Sequence, residues 1–341
     1  MSSPRDPWRT ARTALLTALL GSVACSRGGL KPSPGVVVES LGLQGVGARA
    51  GLHAGDVLLS GRRPAAPPAN PREAEGNLGS CSDVAEVEVE EAPRGPVEIR
   101  MQRRGKASTV QLAAGAWQLE VRPRVAAGPE IAGCAAYARA RRAARESRWA
   151  EALPAFTAAG AWARASRRTR FAALVLNEQS SVSLSRDDFA AATADLRESL
   201  RQLRTAAPRS LSEAAARHLL GRTALRHGDF THAGADFRQA LELRTLLAPE
   251  SLERASTLNN LGILTWKLGD LAGAKRFYFE ALGVVRRRAP GSLEEAQVLN
   301  NIGLLARDGA DAATAKTYFV QANRIWQRLD PDGLDLARGF T

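Results

Sequence analysis

Two asparagine pairs stand out in this sequence for their chemistry and their spacing. Asn259 and Asn260 recur 41 residues later as Asn300 and Asn301. A side-chain amide donates and accepts hydrogen bonds at once, so it suits the main chain of another segment. Cationic and aromatic side chains that would attract carboxylates stand nearby. They are Arg222, Arg226, Trp266 and Lys267.

No arrangement suited to catalysis accompanies these residues. The histidines share no Cys or Ser partner at a spacing that indicates nucleophilic catalysis. They are His53, His218, His227 and His232. The phosphate-loop, nucleophile-elbow and zinc-protease motifs are absent from the sequence. The three cysteines form no CxxC pair and no Cys/His cluster. The sequence therefore predicts a protein that is not an enzyme, with no cofactor and no metal.

Composition favours a globular protein with acidic partners. The 341 residues are 45% hydrophobic and 24% charged, which leaves room for two or three domains. The formal net charge is +12, but arginines are spread over every segment, without a basic stripe interleaved with aromatic residues. This distribution argues against nucleic acid and favours acidic proteins or anionic lipid headgroups. The bias toward Arg, Ala and Gly is typical of a G+C-rich bacterial genome.

The asparagine pairs belong to a longer repeat of 41 residues. Prolines and glycines recur at this interval, and a serine follows two residues after each of the first three prolines. Such a serine is a typical helix N-cap. A fixed period of this length predicts stacked helix pairs in a solenoid. The recurring residues are Pro208, Pro249, Pro290 and Pro331, then Gly221, Gly262 and Gly303, then Ser210, Ser251 and Ser292.

A column of small and large residues identifies the kind of repeat. Counting from Gly262, alanine stands at +12, an aromatic residue at +16 and alanine at +19, as Ala274, Tyr278 and Ala281. This pattern resembles the tetratricopeptide repeat, and the long period with the phrase NNLG resembles the repeats of kinesin light chains. The resemblance implies an all-α solenoid over residues 131–341, with about four full repeats and the start of a fifth.

The resemblance also implies a binding groove. In this family the first helix of each pair lines a concave, peptide-binding face, and Asn260 and Asn301 occupy a slot that contacts the main chain of a bound peptide. Basic and aromatic neighbours would favour acidic peptides. The alternative is that the amides bond neighbouring helices and the others form a solvated helix face. The other members of the predicted groove are Asn259, Asn300, Arg222, Arg226, Trp266 and Lys267.

Residues 34–124 predict a small β-rich module. PGVVVESL reads as a strand, ARAGLHAGDVLL as a helical turn and a second strand, and GPVEIRMQRRGKASTVQL as a hairpin. This run resembles the PDZ domain, in which DVAEVEVEEA would form the helix beside the groove. The strand that lines a PDZ groove is missing before PGVVV, so we expect GAWQLEVRP to supply it.

A circularly permuted PDZ-like domain follows from that arrangement. The resemblance assigns Trp117, Gln118 and Leu119 to peptide binding, with Gln118 where the family has Gly. An exposed sheet edge is either covered or used to add a strand from a ligand. Residues 117–122 therefore either bind a peptide or only complete the sheet.

The N-terminus predicts export. A basic stretch and an apolar run precede Cys25, which resembles a bacterial lipoprotein signal with a signal peptide over 1–24 and a linker over 25–33. The resemblance implies that Cys25 carries a lipid, while ordinary cleavage after Ala24 is the alternative. The protein is expected in the cell envelope, lipid-anchored or periplasmic. Cys81 and Cys134 either pair or stay free thiols, and the sequence slightly favours free thiols.

Together these features predict an exported, membrane-anchored scaffold for protein–protein interaction. It would bind peptides through the repeat groove and through the PDZ-like groove. The alternative is the regulatory N-terminal part of a larger enzyme, because the order of signal, PDZ-like module and repeats resembles bacterial proteins that continue into a CHAT-type protease.

Overall fold

A six-stranded antiparallel sheet precedes a helical solenoid. The computed structural model describes residues 35–126 and 128–329, which belong to one compact unit. This architecture confirms the predicted fold class, a small β-rich module followed by an all-α solenoid. The predicted signal peptide with Cys25 and the predicted start of a further repeat, after residue 329, lie outside the described residues.

The sheet module consists of six strands and two short helices. The strand order is β5–β4–β2–β1–β6, with β3 paired to β2 beside this path. The strands are β1 (Val36–Leu41), β2 (Val57–Arg63), β3 (Ala74–Asn77), β4 (Val97–Arg103), β5 (Lys106–Leu112) and β6 (Leu119–Pro123). The helices are α1 (Val46–Arg49) and α2 (Cys81–Glu86), and α2 continues as a π-helical turn (Val87–Glu91) and a 3-10 turn (Ala92–Arg94).

Alternation along the strands places the core of the module. In β4, Val97, Ile99 and Met101 are buried, whereas the residues between them are more exposed, as a strand with one solvated face requires. The β4–β5 hairpin turns at Arg104 (φ 50°) and Gly105 (φ 79°). Two consecutive positive φ angles are those of the two-residue turn that matches strand twist. The predicted hairpin is therefore confirmed.

The last strand of the module lies beside its first strand. β6 pairs antiparallel with β1, with Leu41 opposite Leu119 and Val36 opposite Pro123. The segment GAWQLEVRP thus forms a strand beside PGVVV, as the sequence analysis expected, whereas the PDZ-like interpretation of this order stays a prediction. β6 is also the edge strand of the sheet.

The solenoid contains five helix pairs within the described residues. We call the odd-numbered helices the first helices and the even-numbered ones the second helices. The first helices are α3 (Gly128–Arg145), α5 (Thr169–Ser185), α7 (Leu211–His227), α9 (Leu252–Lys267) and α11 (Leu293–Asp308). The second helices are α4 (Trp149–Ala165), α6 (Phe189–Ala206), α8 (Phe230–Leu247), α10 (Leu271–Arg288) and α12 (Ala312–Leu329). The pair α3–α4 precedes the four full repeats counted in the sequence.

The repeat column fixes both the start of the helices and their packing. Ser210, Ser251 and Ser292 each accept a hydrogen bond from the main-chain N–H three residues ahead, which confirms them as N-caps. Within a pair, the glycine of the first helix lies against the aromatic ring of the second. A Cβ on Gly262 would lie 2.4 Å from the ring of Tyr278. The small–large column is therefore an interlocking contact, and at Gly262 it leaves no room for a Cβ.

Alanine at this glycine should destabilise the solenoid. Gly262→Ala forces the ring of Tyr278 and helix α9 apart, and such overpacking costs about 1–3 kcal/mol. Gly283 on α10 is the matched control, because the nearest atom to an added Cβ is a guanidinium nitrogen of Arg287 at 3.5 Å. Gly283→Ala should add about 0.5–1 kcal/mol of stability through helix propensity. Denaturant unfolding followed by circular dichroism measures both, and equal effects would contradict the interlocking contact.

A disulfide joins the two parts of the structure. The Sγ atoms of Cys81 on α2 and Cys134 on α3 are bonded, and both residues are buried. The slight preference for free thiols in the sequence analysis is therefore wrong. The two cysteines are 53 residues apart, and only the packing of α3 against the sheet module brings them together.

A half-buried carboxylate lies at the same junction. Glu86 ends α2 and lines a hollow with Arg63, Arg170 and Glu90. Burial raises the pKa of Glu86 to about 7, against the opposing effect of Arg170. Between its unfolded pKa near 4.5 and this value, the folded protein holds the proton and the unfolded chain does not. The contribution of Glu86 to stability is thus full at low pH and declines as the pH rises toward 7.

Glutamine at position 86 should remove this pH dependence. Glu86→Gln should match the wild type below pH 4.5 and exceed its stability above pH 7 by up to about 3 kcal/mol, since the pKa of Glu86 rises from 4.5 to about 7 and one pKa unit corresponds to about 1.4 kcal/mol. Denaturation midpoints from pH 4 to pH 8 measure the difference. Glu75→Gln is the control, because Glu75 lines the same hollow from an exposed position. A constant difference between Glu86→Gln and the wild type at all pH values would contradict this account.

Candidate protein-binding surfaces

The first helices form the inner face of the solenoid. Each first helix lies close to the first helix of the next repeat, as α5 does to α7, α7 to α9 and α9 to α11. Successive second helices approach each other at fewer places. A stack whose one side is closer than the other curves toward the close side. The face predicted for ligand binding is therefore the one that the first helices present.

The sheet module covers the beginning of this inner face. Ala85 of α2 belongs to the same apolar cluster as Tyr137 of α3 and Leu174 of α5, and Val89 packs against it. Leu174 is only 3% exposed. Ser256 on α9 occupies the same repeat position and is exposed. The inner face is thus buried at α5 and open at α9.

The module also binds the start of the third first helix. Both carboxylate oxygens of Glu90 accept hydrogen bonds from the first main-chain N–H groups of α7, from Leu211 at 2.9 Å and from Ser212 at 2.8 Å. A carboxylate at a helix N-terminus satisfies unpaired donors and complements the helix dipole. Asn70 donates to the carbonyl of Leu247 at 3.1 Å. The module therefore spans the inner face from α3 to the N-terminus of α7.

The open part of the inner face comprises the end of α7 with α9 and α11. We call this the open face and define it by three residues on each helix at matching repeat positions. They are Leu219, Arg222 and Arg226 on α7, Asn260, Ile263 and Lys267 on α9, and Asn301, Leu304 and Asp308 on α11. Five of them are residues predicted from the sequence. Ile263 and Leu304, which are half-buried, Leu219, which is buried, and Asp308 were not predicted, although the 41-residue period points to each.

Asn260 keeps part of its amide available on the open face. Its Nδ2 donates to the carbonyl of Ser256 in its own helix at 3.1 Å, while no hydrogen bond of its Oδ1 occurs among the described residues. Asn301 instead donates through Nδ2 to Oδ1 of Asn259 at 2.9 Å. The amide oxygen of Asn260 is therefore available to a ligand, whereas the amide nitrogen of Asn301 is already bonded to Asn259.

The position before this slot forms a clamp between repeats. Asn177 donates to the carbonyl of Ser212 on the next first helix at 3.0 Å. One repeat later His218 Nδ1 lies 3.3 Å from Thr257 Oγ1, again on the next first helix. Burial lowers the pKa of His218 well below its usual value, so its ring is a neutral partner. Asn259 continues the series through its bond from Asn301. This column therefore supports the interpretation that Asn259 bonds a neighbouring helix, whereas Oδ1 of Asn300 is buried and has no hydrogen bond among the described residues.

The predicted basic and aromatic residues also divide into those that join neighbouring repeats and those that remain for a ligand. Arg226 donates to the carbonyl of Leu184 at 2.8 Å, pairs with Asp187 and lies over the ring of Phe189. Trp266 donates through Nε1 to Asp308 Oδ2 at 2.9 Å. Both residues thus join neighbouring repeats.

Two cations of the predicted groove remain. Burial lowers the pKa of Arg222, which is half-buried. Lys267 is exposed, and no ion pair of its ammonium occurs among the described residues. Lys267 is therefore the predicted cation that is most available to a ligand.

The predicted groove of the sheet module is filled. The main-chain N–H of Trp117 donates to Glu88 Oε1 at 2.8 Å, and the ring is completely buried. Gln118 has a left-handed φ of 52°, and its carbonyl accepts from the N–H of Gly42. Helix α3 lies between α2 and β6, and only about 10 Å³ of free space remains among the residues that line this furrow. Trp117 and Leu119 are therefore buried in this structure, and Gln118 is half-buried.

Two further features concern the side chains and helices within 35–126 and 128–329. In this part of the chain no group of three or more His, Cys, Asp or Glu side chains is arranged to hold a metal ion. None of its helices is long and apolar enough to cross a bilayer.

The comparisons with known proteins identify the repeats. Residues 214–245 and 254–289 match two family models described as tetratricopeptide repeat. The prediction of tetratricopeptide repeats is thereby confirmed. No curated protein sequence matches this chain significantly.

Solved structures show the same kind of helical array. Aspartyl phosphate phosphatase F from Bacillus subtilis has a TM-score of 0.53 at 13% identity, over 62% of this chain and 54% of that one. A Rap protein complexed with competence and sporulation factor has a TM-score of 0.51 at 12% identity, over 63% of this chain and 64% of that one. This chain thus matches less than two thirds of either protein. At such identities the likeness shows the fold alone.

A third structure bears on the kinesin light chain resemblance. The nearly identical TPR-like repeats of a putative kinesin light chain from Podosopora anserina have a TM-score of 0.48 at 13% identity, over 58% of this chain and 96% of that one. This similarity is too low to assign the subfamily, which stays a prediction.

Proposed function

We propose that this protein is a non-catalytic scaffold that binds a segment of a partner protein on the open face. The observation that carries the proposal is the contrast along the inner face. Leu174 is buried by the sheet module, whereas α9 presents Asn260, Ile263 and Lys267 with an uncommitted amide oxygen and an uncommitted ammonium group. An apolar strip with a few polar groups is what a peptide-binding groove requires.

The fold of a related array supports this use of the surface. The Rap structure is a complex with competence and sporulation factor, so an array of this kind holds a ligand. The tetratricopeptide repeats of the present chain supply the same architecture. We extend ligand binding to this chain by analogy with that fold.

The chemistry of the open face indicates an extended, acidic segment. Neighbouring helices pack about 8–10 Å apart, and an extended peptide advances about 3.3 Å per residue. Contacts on α9 and α11 would therefore fall about three residues apart along the ligand. Arg222 and Lys267 would face acidic side chains, and Ile263 and Leu304 would receive an apolar one between them.

Reversing the charge of Lys267 should weaken binding. An exposed ion pair contributes about 0.2–1 kcal/mol, and reversal adds repulsion, so Lys267→Glu should lower affinity about fivefold or more. Asn260→Ala should lower it by a similar factor through the lost hydrogen bond. A synthetic array of short peptides with varied Asp and Glu content is the probe, measured at 50 and 300 mM salt. The loss caused by Lys267→Glu should shrink at high salt because exposed charges are screened.

A matched charge reversal distinguishes the open face from general charge effects. Lys275 is exposed on the second helix α10, away from the open face. Lys275→Glu should bind the array as the wild type does. If both reversals weaken binding equally, or if no acidic peptide is selected, the open face is not the binding site.

We also propose that the protein is exported and anchored in the cell envelope through a lipid on Cys25. The basis is the sequence of residues 1–25, with its basic stretch, short apolar run and cysteine. The regulatory role beside a CHAT-type protease stays the alternative, and the reading frame after Thr341 tests it. A PDZ-like origin of the sheet module is likewise our interpretation of its permuted strand order.

Removing the thiol of Cys25 should release the protein from the membrane. Because a covalent lipid supplies the membrane affinity in this proposal, Cys25→Ser should move from the membrane fraction to the soluble fraction. Fractionation of the producing bacterium followed by immunoblotting measures this shift. A wild-type protein that is already soluble after osmotic shock would instead indicate ordinary cleavage after Ala24.

A further inference from the structure

The edge strand of the sheet module has one side that needs a partner. β6 lies at one end of the strand order, so the main-chain groups on its outer side have no neighbouring strand among the described residues. An uncovered edge of this kind invites pairing with other chains. Helix α2 runs beside β6, and the two elements bound a furrow. Such a furrow is a ready site for a segment of protein.

Helix α3, the first helix of the solenoid, fills this furrow. Cys81, Val84 and Ala85 of α2 form one wall, and Leu119 and Val121 of β6 form the other. The segment of α3 that enters between them contributes Cys134, Tyr137, Ala138, Arg141 and Arg145. Cys134 is 1% exposed and belongs to the apolar core of the sheet module. The contact is therefore continuous with the core of the module.

A carboxylate closes the end of the furrow at the start of β6. Glu88 Oε1 accepts the main-chain N–H of Trp117 at 2.8 Å. The guanidinium of Arg141 donates to both oxygens of Glu88, at 3.0 and 3.2 Å. Glu88 is 9% exposed, so this two-point pair is shielded from water. Removing one partner of a buried pair leaves the other uncompensated, which makes the pair a strong determinant of docking.

A second set of charges lies along the strand. Glu120 of β6 accepts from Arg142 of α3 at 3.1 Å and lies 3.7 Å from Arg145. Glu120 is 11% exposed, although it faces outward from the sheet. The arginines of α3 thus match carboxylates on both sides of the furrow.

We propose that the furrow between α2 and β6 is a docking site whose occupant is helix α3 of the same chain. Glu88 supplies at the Trp117 N–H the carboxylate that an external ligand would otherwise bring, and α3 covers the edge strand. The sheet module is therefore an internal clamp on the first repeat and not a receptor for peptides. Its docking also confines partner binding to the open face.

Cutting the chain between the two parts tests this docking. A protease site inserted after the exposed Val125 allows cleavage of the folded, full-length protein between β6 and α3. The fragments should stay together after cleavage, even when Cys81→Ser and Cys134→Ser remove the disulfide. Size-exclusion chromatography and the dissociation constant of the labelled fragments measure the association. Fragments that separate as soon as the disulfide is absent would overturn the proposal.

Charge reversal at Arg141 tests whether this arginine holds α3 in the furrow. In the variant without the disulfide, Arg141→Glu should raise the dissociation constant of the fragments at least tenfold. Arg139→Glu is the matched control, since Arg139 is exposed on the same helix, and it should leave the constant unchanged. Equal constants for the two reversals would overturn the proposal.

A second variant tests the docking from the strand side. Glu120→Arg places a cation opposite Arg142 and Arg145 and should also weaken association. Circular dichroism of each uncut variant shows whether it folds. If Arg141→Glu does not fold, the dissociation constants of the Glu120→Arg and Arg139→Glu variants are compared instead. Equal constants for these two variants would likewise overturn the docking site.

Discussion

A stack of helix pairs buries the apolar face of each pair only against its neighbours, and this constraint organises the whole structure. The interlock of Gly262 with Tyr278 joins the helices within a pair, and the column from Asn177 to Asn259 joins one pair to the next. Neither contact is available to the outer side of the first pair. An array of this kind therefore depends on a cover for its first helix.

The sheet module covers the first helix of the array, and that helix in turn covers an edge strand of the module. Its edge strand β6 requires a cover, and α3 requires a surface on which to bury Cys134 and Tyr137. Each element shields the other, and the buried pair of Glu88 and Arg141 fixes their relative position. Two parts that read as separate domains along the chain thus share one interface with apolar packing, charge pairing and a disulfide.

This arrangement moves the binding surface along the solenoid. Ala85 and Val89 occupy the inner face near α3 and α5, and Glu90 caps α7. The repeat position of Leu174, which is buried there, is exposed again at Ser256 on α9 and at Gln297 on α11. An array that offers five first helices within the described residues therefore presents an open face on the end of α7 and on the following two. The footprint left for a partner is short, which suits an extended segment better than a folded domain.

The period of 41 residues determined the helical architecture without any tertiary information. The N-cap serines and the glycine–aromatic column follow from local chemistry and spacing, because helix capping depends on residues near in sequence. The extra strand at GAWQLEVRP was expected only from the resemblance to the PDZ domain. The first pair was harder to recognise, since α3 has neither the N-cap serine nor the glycine column of the later repeats. The asparagines were placed on the correct helices, but whether an amide bonds a neighbouring helix or faces a ligand depends on the next repeat.

What only the tertiary structure decided is the relation between the two parts. The pairing of Cys81 with Cys134, the capture of the Trp117 N–H by Glu88 and the filling of the furrow by α3 join residues that lie 53, 29 and 53 positions apart. No local pattern encodes such contacts, because they form between two amphipathic surfaces that are distant in sequence and meet only in the folded protein. The sequence by itself predicted two surfaces that could bind a partner. The packing of the module on the solenoid determined which of them stay open, because a buried strand edge and a buried furrow are not accessible to a ligand.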